Sequence, residues 1–106
     1  FICSETIKDQ KDIKRIHKLF RVSERTIIEL STNQMNQFAG NVLEVENTKG
    51  QSHLIMSEKA YQSLEASQIQ SISKSSKIIP IPLDTIEKYG GGSARCMIAE
   101  IFLQKT

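Results

Sequence analysis

Tryptophan is absent from the 106 residues, four Phe and two Tyr are the whole aromatic complement, and only two Pro and two Cys occur. With so few rings, and a net charge of +2 carried by scattered Lys and Arg, nothing points to nucleic acid or an anionic membrane as a partner. No apolar run approaches a membrane span and no signal peptide is visible. Cys3 and Cys96 show neither a CxxC pattern nor metal-ligand spacing, so no metal and no cofactor are expected. Two free thiols point to a reducing compartment, the cytoplasm.

What is present bounds a modest core. A hydrophobic content of 39% over this length suits one small domain or a piece of a larger one. The chain opens on Phe1-Ile2-Cys3, without an initiator Met and in the manner of a strand already under way. It reads as a fragment whose amino-terminal partner is another part of the same protein or another chain.

Taken in order, Phe1 to Thr6 reads as a short strand. Ile13, Ile16, Leu19 and Phe20 then recur at three- and four-residue intervals, which predicts an amphipathic helix from about Lys8 to Val22. Thr26 to Leu30 is a β-branched strand, and Ser31 or Thr32 can cap a short helical turn that ends at Gly40. Asn41 to Glu46 and Ser52 to Met56 form two strands around Asn47-Thr48-Lys49-Gly50, which is hairpin-turn material. Ser57 to about Ser73 is a second helix, Lys77 to Ile81 a second β-branched strand, and Pro82 to Tyr89 a second short turn. The Ser/Lys-rich Ser71 to Lys77 is a solvated helix end.

This succession repeats. Ile27, Ile28, Leu30, Met35, Phe38 and Gly40 become Ile78, Ile79, Ile81, Ile86, Tyr89 and Gly91 when each number is raised by 51, and Ser4-Glu5 becomes Ser57-Glu58 when raised by 53. The unit is strand, strand, helix, strand. Repeats of this length bury their faces against one another, and two alone leave open flanks.

The second unit runs into Lys88-Tyr89-Gly90-Gly91-Gly92-Ser93-Ala94-Arg95-Cys96, followed by the apolar Met97 to Leu103. Three glycines allow a tight turn and close approach of backbone amides, and they do not belong to a helix. Met97 to Leu103 reads as a strand buried on both faces. Cys96 thus sits where turn becomes strand, beside Arg95, in a setting that favours the thiolate. Two roles are open to it: a nucleophile, or a structural cysteine heading a buried strand. A phosphate cradle is disfavoured, since neither a Lys-Ser/Thr pair nor a helix follows the glycines.

Gly-Gly-Gly-Ser-Ala-Arg-Cys-Met, followed by an apolar strand, resembles the carboxyl terminus of the guanidino-group-modifying superfamily of arginine deiminases, dimethylarginine dimethylaminohydrolases and amidinotransferases. Ala99 to Leu103 is most similar to its citrulline-hydrolase-type bacterial branch, and Gln34 to Val45 to the segment one module ahead of the cysteine. The resemblance implies an α/β fold, a five-module propeller of ββαβ units with the active site in its channel. Residues 1–106 would be a carboxyl-terminal fragment of about two modules of that single catalytic domain, completed by the rest of the protein or self-associating as a homo-oligomer.

The resemblance also implies Cys96 as the catalytic thiolate. It would attack the carbon of an arginine- or citrulline-like small molecule, with water resolving the S-alkyl intermediate in a hydrolase or an amine in a transferase. Asn41, Gly91 and Gly92 are the candidates for substrate binding, Asn41 alternatively only tolerating an unusual turn angle. His17 and His53 read as surface or structural residues, and the acid/base histidine and acidic residues are expected ahead of Phe1. A non-catalytic binding or assembly module is the rival reading.

Overall fold

The computed structural model describes residues 1–101. Its centre is a three-stranded sheet in the order β1-β2-β3, made of Leu43–Glu46, Ser52–Ser57 and Lys77–Ile81. Strands β1 and β2 are antiparallel, with Leu43 opposite Ile55 and Glu46 opposite Ser52. Asn47 closes the turn between them by accepting the Lys49 and Gln51 N–H groups on Oδ1, while Gly50 takes a φ of 74° that suits glycine. Strand β3 runs parallel to β2, His53 opposite Lys77 and Ser57 opposite Ile81. A parallel partner requires a crossover, which the intervening helices supply.

Side-chain alternation along β2 sends Leu54 and Met56 into the core with Ile28, Leu30, Ala39, Ala60, Leu64 and Ile72. Met56, Ala39 and Ala60 are fully buried. Cys3 packs against this cluster half-buried and outside any regular strand, against the reading of Phe1 to Thr6 as one.

The crossover corrects one expectation. Ser57 to Ser73 forms two helices, α3 (Glu58–Ser63) and α4 (Ala66–Ser73), with Leu64 and Glu65 extended between them. Ser57 Oγ caps α3 by accepting the Ala60 N–H, and Gln68 Oε1 accepts the Glu65 N–H at 2.7 Å to start α4. The break turns Leu64 into the core and lets buried Gln34 join Gln68 and the Ser63 carbonyl.

Helix α1 (Gln10–Val22) begins two residues later than its periodicity indicated, because Asp9 accepts the Lys11 N–H as its cap. None of its residues is buried; Ile13 and Ile16 are half-covered and Leu19 and Val22 face solvent. Phe1 to Thr6 and Thr26 to Leu30 are not strands either. A single parallel bridge joins Ile2 to Glu29, with Ile2 N donating to Ile28 O at 3.0 Å and Leu30 N to Ile2 O at 2.7 Å, and Ser4–Thr6 is a 3-10 turn. Ladders lengthen where neighbouring strands satisfy further backbone groups, and the described residues offer this bridge none.

The repeat is thus realised in part. One strand-strand-helix-strand unit is complete, and the earlier copy keeps only the order of extended residue, helix and parallel extended residue, so the two do not superpose element for element. Each copy is followed by a short helix, α2 (Thr32–Asn36) and α5 (Asp84–Gly90). The left-handed residue beyond each helix is Phe38 (φ 65°) or Gly91 (φ 67°), so Gly40, the counterpart of Gly91 by sequence register, is not the turning point.

Candidate active site

Helix α5 corrects the reading of Pro82 to Tyr89 as a turn and places Gly90 inside a helix, against expectation. Gly91 then ends the helix in the left-handed conformation, which costs a residue bearing Cβ about 1–2 kcal/mol. Beyond it the chain does not enter a strand. Ala94–Met97 is a 3-10 helix, and Cys96 lies within it with its N–H donating to Ser93 O at 3.0 Å.

The double-sided burial foreseen for Met97 to Leu103 is absent from its described part: Met97 and Ile101 are exposed and Ile98 is only half-covered. An apolar run becomes a strand when a partner strand accepts it, and the described residues present none. Phe102 and Leu103 lie outside the described residues. Cys96 itself is exposed.

Asn41 meets this cysteine from the loop ahead of β1. The chain reaches it through Ser31, which caps α2 by accepting the Gln34 N–H while Gln34 Oε1 accepts the Ser31 N–H, and then through left-handed Phe38, whose carbonyl accepts the Asn41 N–H at 2.8 Å. Half-buried Asn41 donates from Nδ2 to Cys96 Sγ at 3.1 Å and accepts the Arg95 N–H on Oδ1 at 2.9 Å. One amide therefore fixes both the sulfur and the backbone that carries it.

Gly92 makes room for the sulfur. A Cβ built there would lie 3.0 Å from both Cys96 Cβ and Sγ, closer than such atoms normally approach. At Gly91 a Cβ would meet nothing within 4 Å, and the requirement is its φ alone. Of the residues singled out from sequence, Asn41, Gly92 and Cys96 are brought into contact, while Gly91 shapes the turn.

The Cys96 thiol is held below its ordinary pKa. Its largest cause is the hydrogen bond from Asn41, followed by one from the Ser93 backbone N–H; slight burial opposes these and the Arg95 charge adds the smallest contribution. Arg95 is turned elsewhere, donating to Ile98 O at 3.2 Å and pairing with Glu100 at 3.6 Å. Hence amide donors, more than the neighbouring cation, favour the thiolate.

Two contributors were not foreseen. Ser93 is fully buried and its Oγ donates to Glu87 Oε1 at 2.6 Å, with Glu87 itself 7% exposed. The Glu-Lys-Tyr-Gly ending of α5 carries no signal that its carboxylate faces inward. Neither histidine hydrogen-bonds Cys96: His17 lies 3.9 Å from Glu29, and His53 Nδ1 is 3.0 Å from the Gln51 carbonyl. Among the described residues no group of three or more His, Cys, Asp and Glu is placed to hold a metal, and no helix is long and apolar enough to cross a membrane.

The site is thus an exposed thiol beside a glycine turn of an α/β unit, hydrogen-bonded by the Asn41 amide and with its ionised form favoured. The family model described as N,N dimethylarginine dimethylhydrolase, eukaryotic, matches residues 1–103, and the chain belongs to that family and so to the guanidino-group-modifying superfamily. The family's description is of a hydrolase acting on a guanidino group, that is, on a C–N bond. Searches of curated proteins and of solved structures give no match.

Proposed function

We propose that this chain is the carboxyl-terminal part of a larger catalytic domain, a five-module α/β propeller, and supplies the nucleophile for hydrolysis of a guanidino or ureido C–N bond. The observation that carries this reading is the 3.1 Å hydrogen bond from Asn41 Nδ2 to the sulfur of an exposed cysteine in a family of guanidino hydrolases.

The Cys96 thiolate attacks the amidine or ureido carbon and forms a C–S bond, and an amine or ammonia departs with a proton. Water then adds to the same carbon, the C–S bond breaks, and the thiolate is regenerated. Asn41, Gly91 and Gly92 line the side from which substrate approaches, Asn41 exchanging part of its bond with sulfur for one to the substrate. The acid/base histidine comes from outside this chain, in keeping with the contacts of His17 and His53. The substrate is a free arginine- or citrulline-like molecule handled in the cytoplasm without a cofactor, and the domain's remaining modules, or a second copy, cover the open sheet edges.

Replacing Cys96 by Ser in the full-length protein should abolish release of amine or ammonia from arginine, citrulline and dimethylarginine while leaving the melting temperature near that of the parent. Full activity in Cys96→Ser would remove the proposal. A second reading, a binding or assembly module, is favoured by the absence of a histidine hydrogen-bonded to Cys96 among the described residues. It would be supported by ligand protection of Cys96 from alkylation without turnover. Transfer of the amidino carbon to an added amine instead of water would mark a transferase.

A further inference from the structure

Buried Glu87 has no part in the chemistry above, yet its setting is unusual for a carboxylate. Oε1 accepts the Ser93 hydroxyl at 2.6 Å, while buried Oε2 has no hydrogen-bond partner among the described residues. A buried carboxylate with one oxygen unsatisfied is costly, and an apolar residue in its place would avoid the cost. Retaining it makes sense where the single hydrogen bond does something that packing alone does not.

That bond acts on the residue beneath the sulfur. Ser93 is fully enclosed and stands at the head of the 3-10 helix that carries Cys96, and its carbonyl accepts the Cys96 N–H at 3.0 Å. Between Glu87 and Ser93 the chain passes Gly91 at φ 67° and then Gly92, so the covalent path between them is a glycine hinge. The Glu87–Ser93 bond closes that hinge from inside, much as Asn41 holds it from outside.

We propose that Glu87, acting through Ser93, is a positioning residue for Cys96, locking the Ser93 peptide whose carbonyl holds the Cys96 N–H, so that the sulfur stays on the Asn41 amide. The inference rests on Cys96 being the working thiol, but it concerns the state of that thiol and not the reaction. The charged groups nearby are Arg95, directed to Glu100, and on the side of Glu87 the residues Lys59, Asp84 and Lys88, which line one cavity of about 320 Å³ with it.

The test is the alkylation rate of Cys96 by iodoacetamide as a function of pH, in full-length protein with Cys3 replaced by Ser. Glu87→Ala and Ser93→Ala each remove the bond from one end. Each should raise the apparent thiol pKa by about one unit and slow labelling about tenfold at pH values below it. Glu87→Gln keeps an acceptor for the Ser93 hydroxyl and should restore most of the rate.

A pH profile unchanged in both alanine variants overturns the proposal, and so does a Glu87→Gln profile as displaced as that of Glu87→Ala. If Glu87→Ala does not fold, Ser93→Ala, the smaller change, decides. Because the readout is alkylation, a protein that turns over no guanidino or ureido compound but shows the displaced profiles would leave the positioning role standing and remove only the functional reading.

Discussion

The Asn41 side chain touches Cys96 on one side and its neighbour's backbone on the other, with Nδ2 3.1 Å from the Cys96 sulfur and Oδ1 2.9 Å from the Arg95 nitrogen. A hydrogen-bond donor aimed at sulfur stabilises the thiolate over the thiol and lowers the pKa, which is the direction found.

Removing the donor should reverse that effect. In Asn41→Ala the Cys96 pKa rises, and alkylation at a pH below both values slows about tenfold. Asn41→Asp still accepts the Arg95 N–H but sets a carboxylate against the sulfur, where like charge disfavours the thiolate. It should label more slowly than Asn41→Ala. Iodoacetamide rates for Cys96 across pH, with Cys3 as internal reference, check both; an Asn41→Asp rate above that of Asn41→Ala would contradict the geometry.

The two glycines of the turn should separate by readout. Gly91→Ala forces a side chain into the left-handed region with space around it, so it should cost about 1–2 kcal/mol of stability while Cys96 labels almost normally. Gly92→Ala drives a methyl group into Cys96 Cβ and Sγ and should both destabilise by about 1–3 kcal/mol and change the labelling rate. Denaturation midpoints and alkylation rates for the pair provide the comparison.

Met56 is the test of the core. It is fully buried on the central strand between β1 and β3, so Met56→Ala leaves a cavity and should cost about 2–5 kcal/mol. Against a total stability typically of about 5–15 kcal/mol this is a large part. Urea unfolding followed by circular dichroism should show the midpoint moving accordingly.

Stability should also fall in acid through Glu44. Its carboxylate accepts hydrogen bonds from Ser52 and, at 2.7 Å, from Ser76, and these hold its pKa below the ordinary 4.5. A folded-state pKa below the unfolded one gives a contribution present in full above the unfolded value and lost as pH falls through the folded value. Glu5, lowered by the Thr32 hydroxyl and then the Thr32 N–H, behaves in the same sense. Melting temperatures measured from pH 6 downward should fall below about pH 4.5, less steeply in Glu44→Gln than in the parent. An equally steep fall in the variant would assign the acid sensitivity to other groups.

Local chemistry was legible in the sequence wherever a short stretch decides its own conformation. The Asn47–Gly50 turn is closed by its own Asn side chain and glycine, the β-branched Lys77–Ile81 forms β3 with the bounds its composition indicated, and Ser31, one of the two caps the sequence offered, caps α2. The α/β class follows from those pieces. The thiol in its glycine turn could likewise be read from consecutive residues, and so could the family to which the chain belongs.

What needed the tertiary structure is every feature that depends on a distant partner. The single helix inferred over Ser57 to Ser73 became two, since Leu64 finds the core and Gln68 finds Gln34, 34 residues away in sequence. Thr26 to Leu30 and Met97 to Ile101 have strand composition without a ladder, because strand structure is a property of a pair and among the described residues the first finds only the single bridge to Ile2 and the second no partner strand. Composition also placed Arg95 next to Cys96 as its electrostatic partner. Folding instead turned Arg95 toward Glu100 and brought in Asn41 from 55 residues away, because a hydrogen bond depends on where the donor atom ends up and adjacency in the chain does not specify that.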